Sequence, residues 1–338
     1  MASFRFTQLH TASRSLHQTL RPASNLKLYR KAYSTALPIS RNSGGQDSAA
    51  YISALPVAST RHKIKVLSNW NTLADQSLHA RSLWNLFRNI IPSIRHTNFL
   101  TADECARLMD VIRSQKIGSY DQEVVFPPVG SVGVTQFDHQ HDKESYFQKI
   151  ESSMELQNRF KSEAGIDIVS RVAAMLHEKS GLRVRIAREG TRDYFAGLLR
   201  AVDNAIQIHP DYAPYDGPDW EIGRISAQLT WNILLKQVPG GDTIIYDRQW
   251  QGRADDVVFR KKFPRYAYDP VGLQGNVFKC LMAKQGDLTL FNPRNFHEVK
   301  PCDRSLSEPG DVTRFTMSSF VGLLGSETGG DPELILWS

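Results

Sequence analysis

What this 338-residue sequence has little of narrows its class first. Its three cysteines, Cys105, Cys280 and Cys302, are too scattered for a zinc cluster and leave one thiol over in any disulfide scheme. Such usage fits a reducing compartment. No apolar run approaches the roughly 18 residues that a membrane-spanning helix needs, so a soluble protein without a membrane partner is expected. Acidic residues are absent from residues 1–46, which carry seven Lys and Arg (Arg5, Arg14, Arg21, Lys27, Arg30, Lys31 and Arg41). Removing those seven from the formal charge of +6 leaves −1 for the remainder. The basic character therefore belongs to the N-terminal segment, and no basic patch interleaved with aromatics argues for a nucleic-acid partner. No internal repeat is found, and no low-complexity block beyond the N-terminus.

What is present is ordinary for a globular chain: 41% hydrophobic and 22% charged residues, enough to bury a sizeable core. The length exceeds that of most single domains, but an elaborated β-barrel with helical additions reaches it, so one domain with a tail is expected. Residues 1–45 are rich in Arg, Ser, Thr and Leu, and Phe6, Leu9, Ser13, Leu16 and Leu20 fall along one side of a helix. That composition resembles a mitochondrial transit peptide, with cleavage after Tyr33; a disordered basic tail, leaving the protein cytoplasmic, is the alternative. Residues 46–95 read as an N-terminal extension with a short helix around LHARSLWNLFRNI and no nameable chemistry.

Order sharpens at HTNFLTADECARLMDVIRSQ. Thr101 and Glu104 form a capping-box pattern, and Cys105, Leu108, Met109 and Ile112 recur at helical spacing. KESYFQKIESSMELQNRF reads as helical, and a further helix is expected over 166–179 with Gly181 as its stop. After Gly181 the texture becomes short β-rich runs separated by Gly, Pro and Asp. Helices first and strands after give an α+β chain: an antiparallel sandwich or jelly roll with the early helices packed on one face.

The chemistry-bearing candidates lie in the β-rich half. A metal that binds oxygen and an organic co-substrate needs few protein ligands and several open positions, which two histidines and one carboxylate provide for iron(II). His209 and Asp211, in IHPDYAPYDG, supply half of such a set, and His297 in GDLTLFNPRNFHEVKPCD is the best partner. His-x-Asp is weak alone, since ten histidines make about one such spacing expected by chance, and His209 could equally sit in a proline turn. The order of features strengthens it: HPD, a strand, the Gly240-Gly241 hairpin, Gly286-Asp287 turning into a strand, His297, then Arg314 and Thr316 in TRFTMSSF. A rival cluster, Asp138-His139-Gln140-His141-Asp142, precedes a helix that Asp142 would cap.

Over residues 96–324 these elements resemble the 2-oxoglutarate- and iron(II)-dependent oxygenases, in the branch related to prolyl 4-hydroxylases. The resemblance implies a double-stranded β-helix core supported by the N-terminal helices, with the oxygenase domain at 96–326 and a C-terminal tail at 327–338. It implies His209, Asp211 and His297 as ligands of Fe(2+), Arg314 as the partner of the distal carboxylate of 2-oxoglutarate, and Thr316 as the hydroxyl beside it. O2 is the second co-substrate, and ascorbate an optional reductant. A guanidinium suits the carboxylate because its fork grips two oxygens. Two departures stand out. The gap from His297 to Arg314 is 17 residues, longer than usual, with DRSLSEPGDVT as an apparent loop insertion and Arg304 as a rival; and prolyl hydroxylases carry lysine at the basic position. Related halogenases replace the carboxylate with a small residue, so Asp211 favours hydroxylation or another oxidation.

On the strand around Gln228, the polar set Gln228, Thr230 and Asn232 alternates with Leu229, Trp231 and Ile233; the polar set either faces the lumen, with Thr230 and Asn232 near co-substrate or substrate, or is an exposed face. Tyr212, Tyr215 and Trp220 either form a lid over the iron or pack locally. The expected reaction is oxidation of a small-molecule or amino-acid-like substrate with release of succinate and CO2. A desaturase or ring-forming oxidase on the same site, or a non-catalytic jelly-roll binding module, are the alternatives. Oligomeric state is not written in the sequence.

Overall fold

The computed structural model describes residues 50–52, 68–307, 312–325 and 331–338; the targeting segment expected at 1–45 lies outside them. The strands that build the site are β1 (Ser93–His96), β2 (Leu198–Val202), β3 (Ile206–His209), β4 (Ile225–Lys236), β5 (Thr243–Gln249), β6 (Val277–Leu281), β7 (Leu288–Phe291), β8 (Asn295–Val299), β9 (Arg314–Leu324) and β10 (Glu333–Trp337). One antiparallel sheet runs β1-β7-β4-β9-β2 and a second runs β6-β5-β8-β3. Strands β2 to β9 thus divide between two sheets in the order of a double-stranded β-helix, in which sequence neighbours such as β2 and β3 lie in different sheets. Strand β9 is long enough to be flanked twice on one side, by β2 along Arg314–Ser318 and by β10 along Phe320–Leu324.

Among the described residues, three helices of eight residues or more precede β2: α1 (Ala80–Phe87), α2 (Ala102–Arg113) and α3 (Ile168–Ser180). The capping box of α2 forms as read, with Thr101 N donating to Glu104 Oε2 at 2.8 Å and Glu104 N to Thr101 Oγ1 at 3.1 Å. Helix α3 stops at Gly181 in the left-handed region (φ 74°). Leu229, Trp231 and Ile233 of β4 are buried in one cluster with Leu83 and Leu86 of α1, Leu108 and Ile112 of α2 and Leu176 of α3. Their alternating neighbours Gln228, Thr230 and Asn232 line a cavity on the other face. The period of two therefore assigns one face of β4 to the core and the other to the site.

Two expectations need correction and one is refined. KESYFQKIESSMELQNRF is helical as read, divided into the pieces Lys143–Gln148, Ile150–Ser153 and Glu155–Arg159. Ser152 and Ser153 both turn their hydroxyls back to the Lys149 carbonyl (3.1 and 2.7 Å), competing with the helical ladder. Residues 327–338 are not a tail, because Glu333–Trp337 is strand β10, paired with β9 and buried from Leu334 to Trp337. ELILW offers no polar face to solvent, so it needs cover on both sides. Nor is residue 96 a domain edge: β1 pairs with β7, and α1 belongs to the shared core. Asp75 accepts from Arg95 Nε (2.9 Å) and lies 3.1 Å from Lys279 Nζ, while Arg95 also reaches Asp287 (3.0 Å), tying this region to the second half of the chain. Among the described residues, no helix is long and apolar enough to cross a membrane.

Candidate metal and co-substrate site

Register brings the two histidines together. His209, the last residue of β3, is the cross-strand partner of His297 in β8, and their ring centroids lie 4.2 Å apart. Pro210 ends the strand, and Asp211 N donates to the Pro293 carbonyl at 2.9 Å, bending the chain back towards the pair. Asp211 Oδ2 then stands 3.9 Å from His209 Nε2 and 3.5 Å from His297 Nε2. Among the described residues this is one group of His, Cys, Asp and Glu close enough to hold a metal, with ligand atoms within 4.8 Å of one another.

The hydrogen bonds behind the rings decide what the group can bind. Nδ1 of His209 meets the Gln207 carbonyl at 2.7 Å, and Nδ1 of His297 meets the Asn295 carbonyl at 2.9 Å. A carbonyl only accepts, so each neutral ring carries its proton on Nδ1 and presents the Nε2 lone pair to Asp211. Burial, followed by the neighbouring His297, pushes the His209 imidazole down to about 4, so it is neutral at physiological pH. Burial alone would raise the Asp211 carboxyl, but the facing His297 and His209 side chains outweigh it and hold it below the usual value. The two imidazole Nε2 atoms and one carboxylate make a donor set that suits iron(II).

Across the same cavity lies Arg314, only 7% exposed, with no hydrogen-bond partner for its Nε. Burial lowers its guanidinium to about 10, against the pull of Cys302 and Asp242, so the charge persists at neutral pH. A buried charged donor without a partner costs more than the roughly 1–3 kcal/mol of a neutral one, and an anion arriving in the cavity would remove that cost. The Gly240-Gly241 turn makes room for it. Both glycines have positive φ (77° and 73°), and a Cβ on Gly241 would stand 2.8 Å from Arg314 Cδ. Thr316, two residues on along β9, faces the same cavity and is buried.

The remaining candidates separate. Thr230 and Asn232 line the cavity, though the Thr230 hydroxyl donates to the Ser319 carbonyl at 3.2 Å. Gln228 Oε1 accepts from Ala213 N at 2.8 Å and so pins the turn of helix Ala213–Asp216 beside the triad. Tyr212 lines the cavity, while Tyr215 is exposed and packs its ring 4.5 Å from that of Trp250. Trp220 belongs to packing, buried among Tyr146, Tyr194 and Phe147. Arg304 is exposed and paired with Asp203 at 3.2 Å, away from the cavity. In the rival cluster Asp142 caps the next helix by accepting from Ser145 N (3.0 Å), and Asp138 binds the Thr135 hydroxyl (2.7 Å). Sequence reasoning missed Arg200, Gln136 and Asp216, which also line the cavity of about 180 Å³. A signal for Arg200 did exist: an arginine inside the apolar run GLLRAV is costly unless it is used.

No family model matches the chain. Among curated proteins, the leucinostatins biosynthesis cluster protein S of Purpureocillium lilacinum is 46% identical over 224 residues, 66% of this chain and 90% of that protein. The L-gamma-glutamyl-L-propargylglycine hydroxylase of Streptantibioticus cattleyicolor is 30% identical over 161 residues, 47% of this chain and 54% of that protein, so the match spans about half its length. Among solved structures, an N-substituted L-amino acid dioxygenase from Burkholderia ambifaria superposes with a TM-score of 0.48 at 16% identity, covering 77% of this chain and 91% of that one. The chain belongs to the family of the leucinostatins biosynthesis cluster protein S.

Proposed function

We propose that the protein is a hydroxylase of a small, amino-acid-like substrate. His209, Asp211 and His297 would hold iron(II), and Arg314 with Thr316 would bind the distal carboxylate of 2-oxoglutarate. The observation that carries this reading is the pair of Nε2 lone pairs converging on Asp211 while Arg314, its Nε without a hydrogen-bond partner, lines the same cavity. Bound iron with 2-oxoglutarate and O2 would supply the oxidising power to replace a C–H bond by C–OH, releasing succinate and CO2. This chain's part is placement. The Gln207 and Asn295 carbonyls fix the imidazole tautomers, the Gly240-Gly241 turn admits the stem of Arg314, and Thr230 and Asn232 shape the wall along which co-substrate and substrate lie. The names of the two curated relatives, one a hydroxylase of a glutamyl amino-acid derivative and one from a biosynthesis cluster, support an amino-acid-like substrate and a tailoring role.

The test is an anaerobic titration of wild type and Asp211→Ala with iron(II) and 2-oxoglutarate, following the metal-to-ligand absorption band, then admission of air and assay of succinate. The wild type should form the band and release succinate, and Asp211→Ala should lose both by more than 100-fold. Equal behaviour of the two proteins sinks the ligand assignment. A wild type that binds neither component returns the protein to a non-catalytic jelly roll.

A further inference from the structure

The cavity holds more positive charge than the reaction uses. Arg200 lies in β2 opposite Thr316 of β9, and alternation along β2 turns Arg200 and Val202 to the lumen. Its guanidinium is held by two neutral groups: Nε donates to the Tyr120 hydroxyl at 3.1 Å, and a terminal nitrogen donates to the Ser318 hydroxyl. No carboxylate of the described residues pairs with it. Arg260, another cation of the lining, is neutralised by Asp256 at 3.2 Å. With iron(II) and 2-oxoglutarate in place, two positive charges of the metal and that of Arg314 balance the two carboxylates of the co-substrate and Asp211. Arg200 is left over. Asp138 and Asp211 act on Arg200 through space but neither forms an ion pair with it, and Asp216, also in the lining and raised to about 7 by burial and the neighbouring Asp211, interacts with Arg260 and not with Arg200. A second, independent feature points the same way. Gln136, also in the lining, is 4% exposed, and its Nε2 has no hydrogen-bond partner.

We propose that Arg200, with the Gln136 amide, forms a subsite for a carboxylate of the substrate, so the enzyme takes a small free acid rather than the same residue held as an ester or thioester. This rests on the oxygenase reading above and assigns the half of the cavity that the reading leaves open. Arg200 sets specificity through charge. Gln136 donates a hydrogen bond that no described residue satisfies, and Tyr120 and Ser318 hold the guanidinium in place.

The test uses the full chain loaded anaerobically with iron(II) and 2-oxoglutarate, as wild type, Arg200→Gln and Arg200→Lys. Probes are a panel of free L-amino acids and γ-glutamyl dipeptides, each beside its methyl ester. Binding is read from the change in the metal-to-ligand band, and turnover from probe-stimulated succinate. Free acids should perturb the wild-type band and stimulate turnover at least tenfold better than their esters. Arg200→Gln should raise the KM of the responding acid roughly 10- to 150-fold, the range for a charged hydrogen bond, with a much smaller change in kcat; Arg200→Lys should recover part of the loss. The 2-oxoglutarate dissociation constant should stay within about twofold in both variants, which also shows that they are folded. The proposal falls if esters act as well as acids, if no free acid perturbs the wild-type band, or if Arg200→Gln weakens 2-oxoglutarate itself. A wild type that fails to bind 2-oxoglutarate brings down the oxygenase reading instead, a separate result.

Discussion

Two adjacent glycines allow the link between hairpin and co-substrate to be tested with one methyl group. Gly240 and Gly241 both sit in the left-handed region, at φ 77° and 73°, so alanine at either position bears a similar backbone cost of about 1–2 kcal/mol. Their surroundings differ. At Gly240 the new Cβ meets backbone, the Pro301 carbonyl oxygen at 2.7 Å and Asp303 N at 2.9 Å. At Gly241 it meets Arg314 Cδ at 2.8 Å, a flexible stem that must retreat by about 0.6 Å to reach ordinary van der Waals contact. Gly240→Ala should therefore lose more stability, whereas Gly241→Ala should displace the guanidinium. A charged hydrogen bond is worth about 1.5–3 kcal/mol, so losing roughly half of one predicts a roughly 3.5- to 13-fold weaker 2-oxoglutarate complex. Calorimetric titration of 2-oxoglutarate into the anaerobic iron(II) protein, beside thermal unfolding, separates the two effects. Gly241→Ala should raise the dissociation constant by that factor, with a fall in Tm of a few degrees. Gly240→Ala should lower Tm further and change the dissociation constant less than threefold. If both variants weaken 2-oxoglutarate equally, or neither does, Arg314 is not the residue that grips it.

Two further outcomes probe the scaffold. Asp75→Asn leaves Lys279, 1% exposed, without its charge partner and Arg95 with Asp287 alone, so urea unfolding at pH 7 should show a loss of about 3–5 kcal/mol. Burial opposes ionisation of Asp75, but the Ser93 hydroxyl, Lys279 and Arg95 hold its carboxyl below the usual value; its stabilisation is therefore full above about pH 4 and disappears as pH falls through the folded value. The gap between wild type and variant should close towards acid pH, and a constant gap would remove this account. Trp220→Ala should cost about 3–5 kcal/mol while leaving iron(II) and 2-oxoglutarate binding intact, because the indole is 3% exposed and packs 5.5 Å from the Tyr146 ring and 5.7 Å from that of Tyr194. An unchanged stability with impaired substrate response would instead make Trp220 part of a lid.

What could be read from the sequence divides along a physical line. His209 and Asp211 were legible because their relation is local: two residues on either side of a proline at a strand end. The alternation of Gln228 to Ile233 was legible for the same reason, since the pleat alone sends one set to the cavity and the other to the helices. Gly240 and Gly241 announced a hairpin, but not that the turn must lie bare against Arg314, a contact made 73 residues later in the chain. Strand β10 was lost because ELILW has no alternation, and an apolar run declares its structure only once Phe320–Leu324 is there to pair with it.

Arg200 is the most instructive omission. Its place is set by register with Thr316, 116 residues away, and its significance by a count of charges that requires the whole cavity to be closed. Local sequence shows only an arginine in an apolar strand, a feature equally consistent with an edge or a snorkelling side chain. The fold removes both readings, because β2 is flanked on one side by β9 and on the other by Gly130–Val132, and Arg200 is tied to Tyr120 and Ser318. An ion held inside a sheet by neutral partners is stable only as half of an interaction. On the oxygenase reading proposed above, the other half arrives with the substrate.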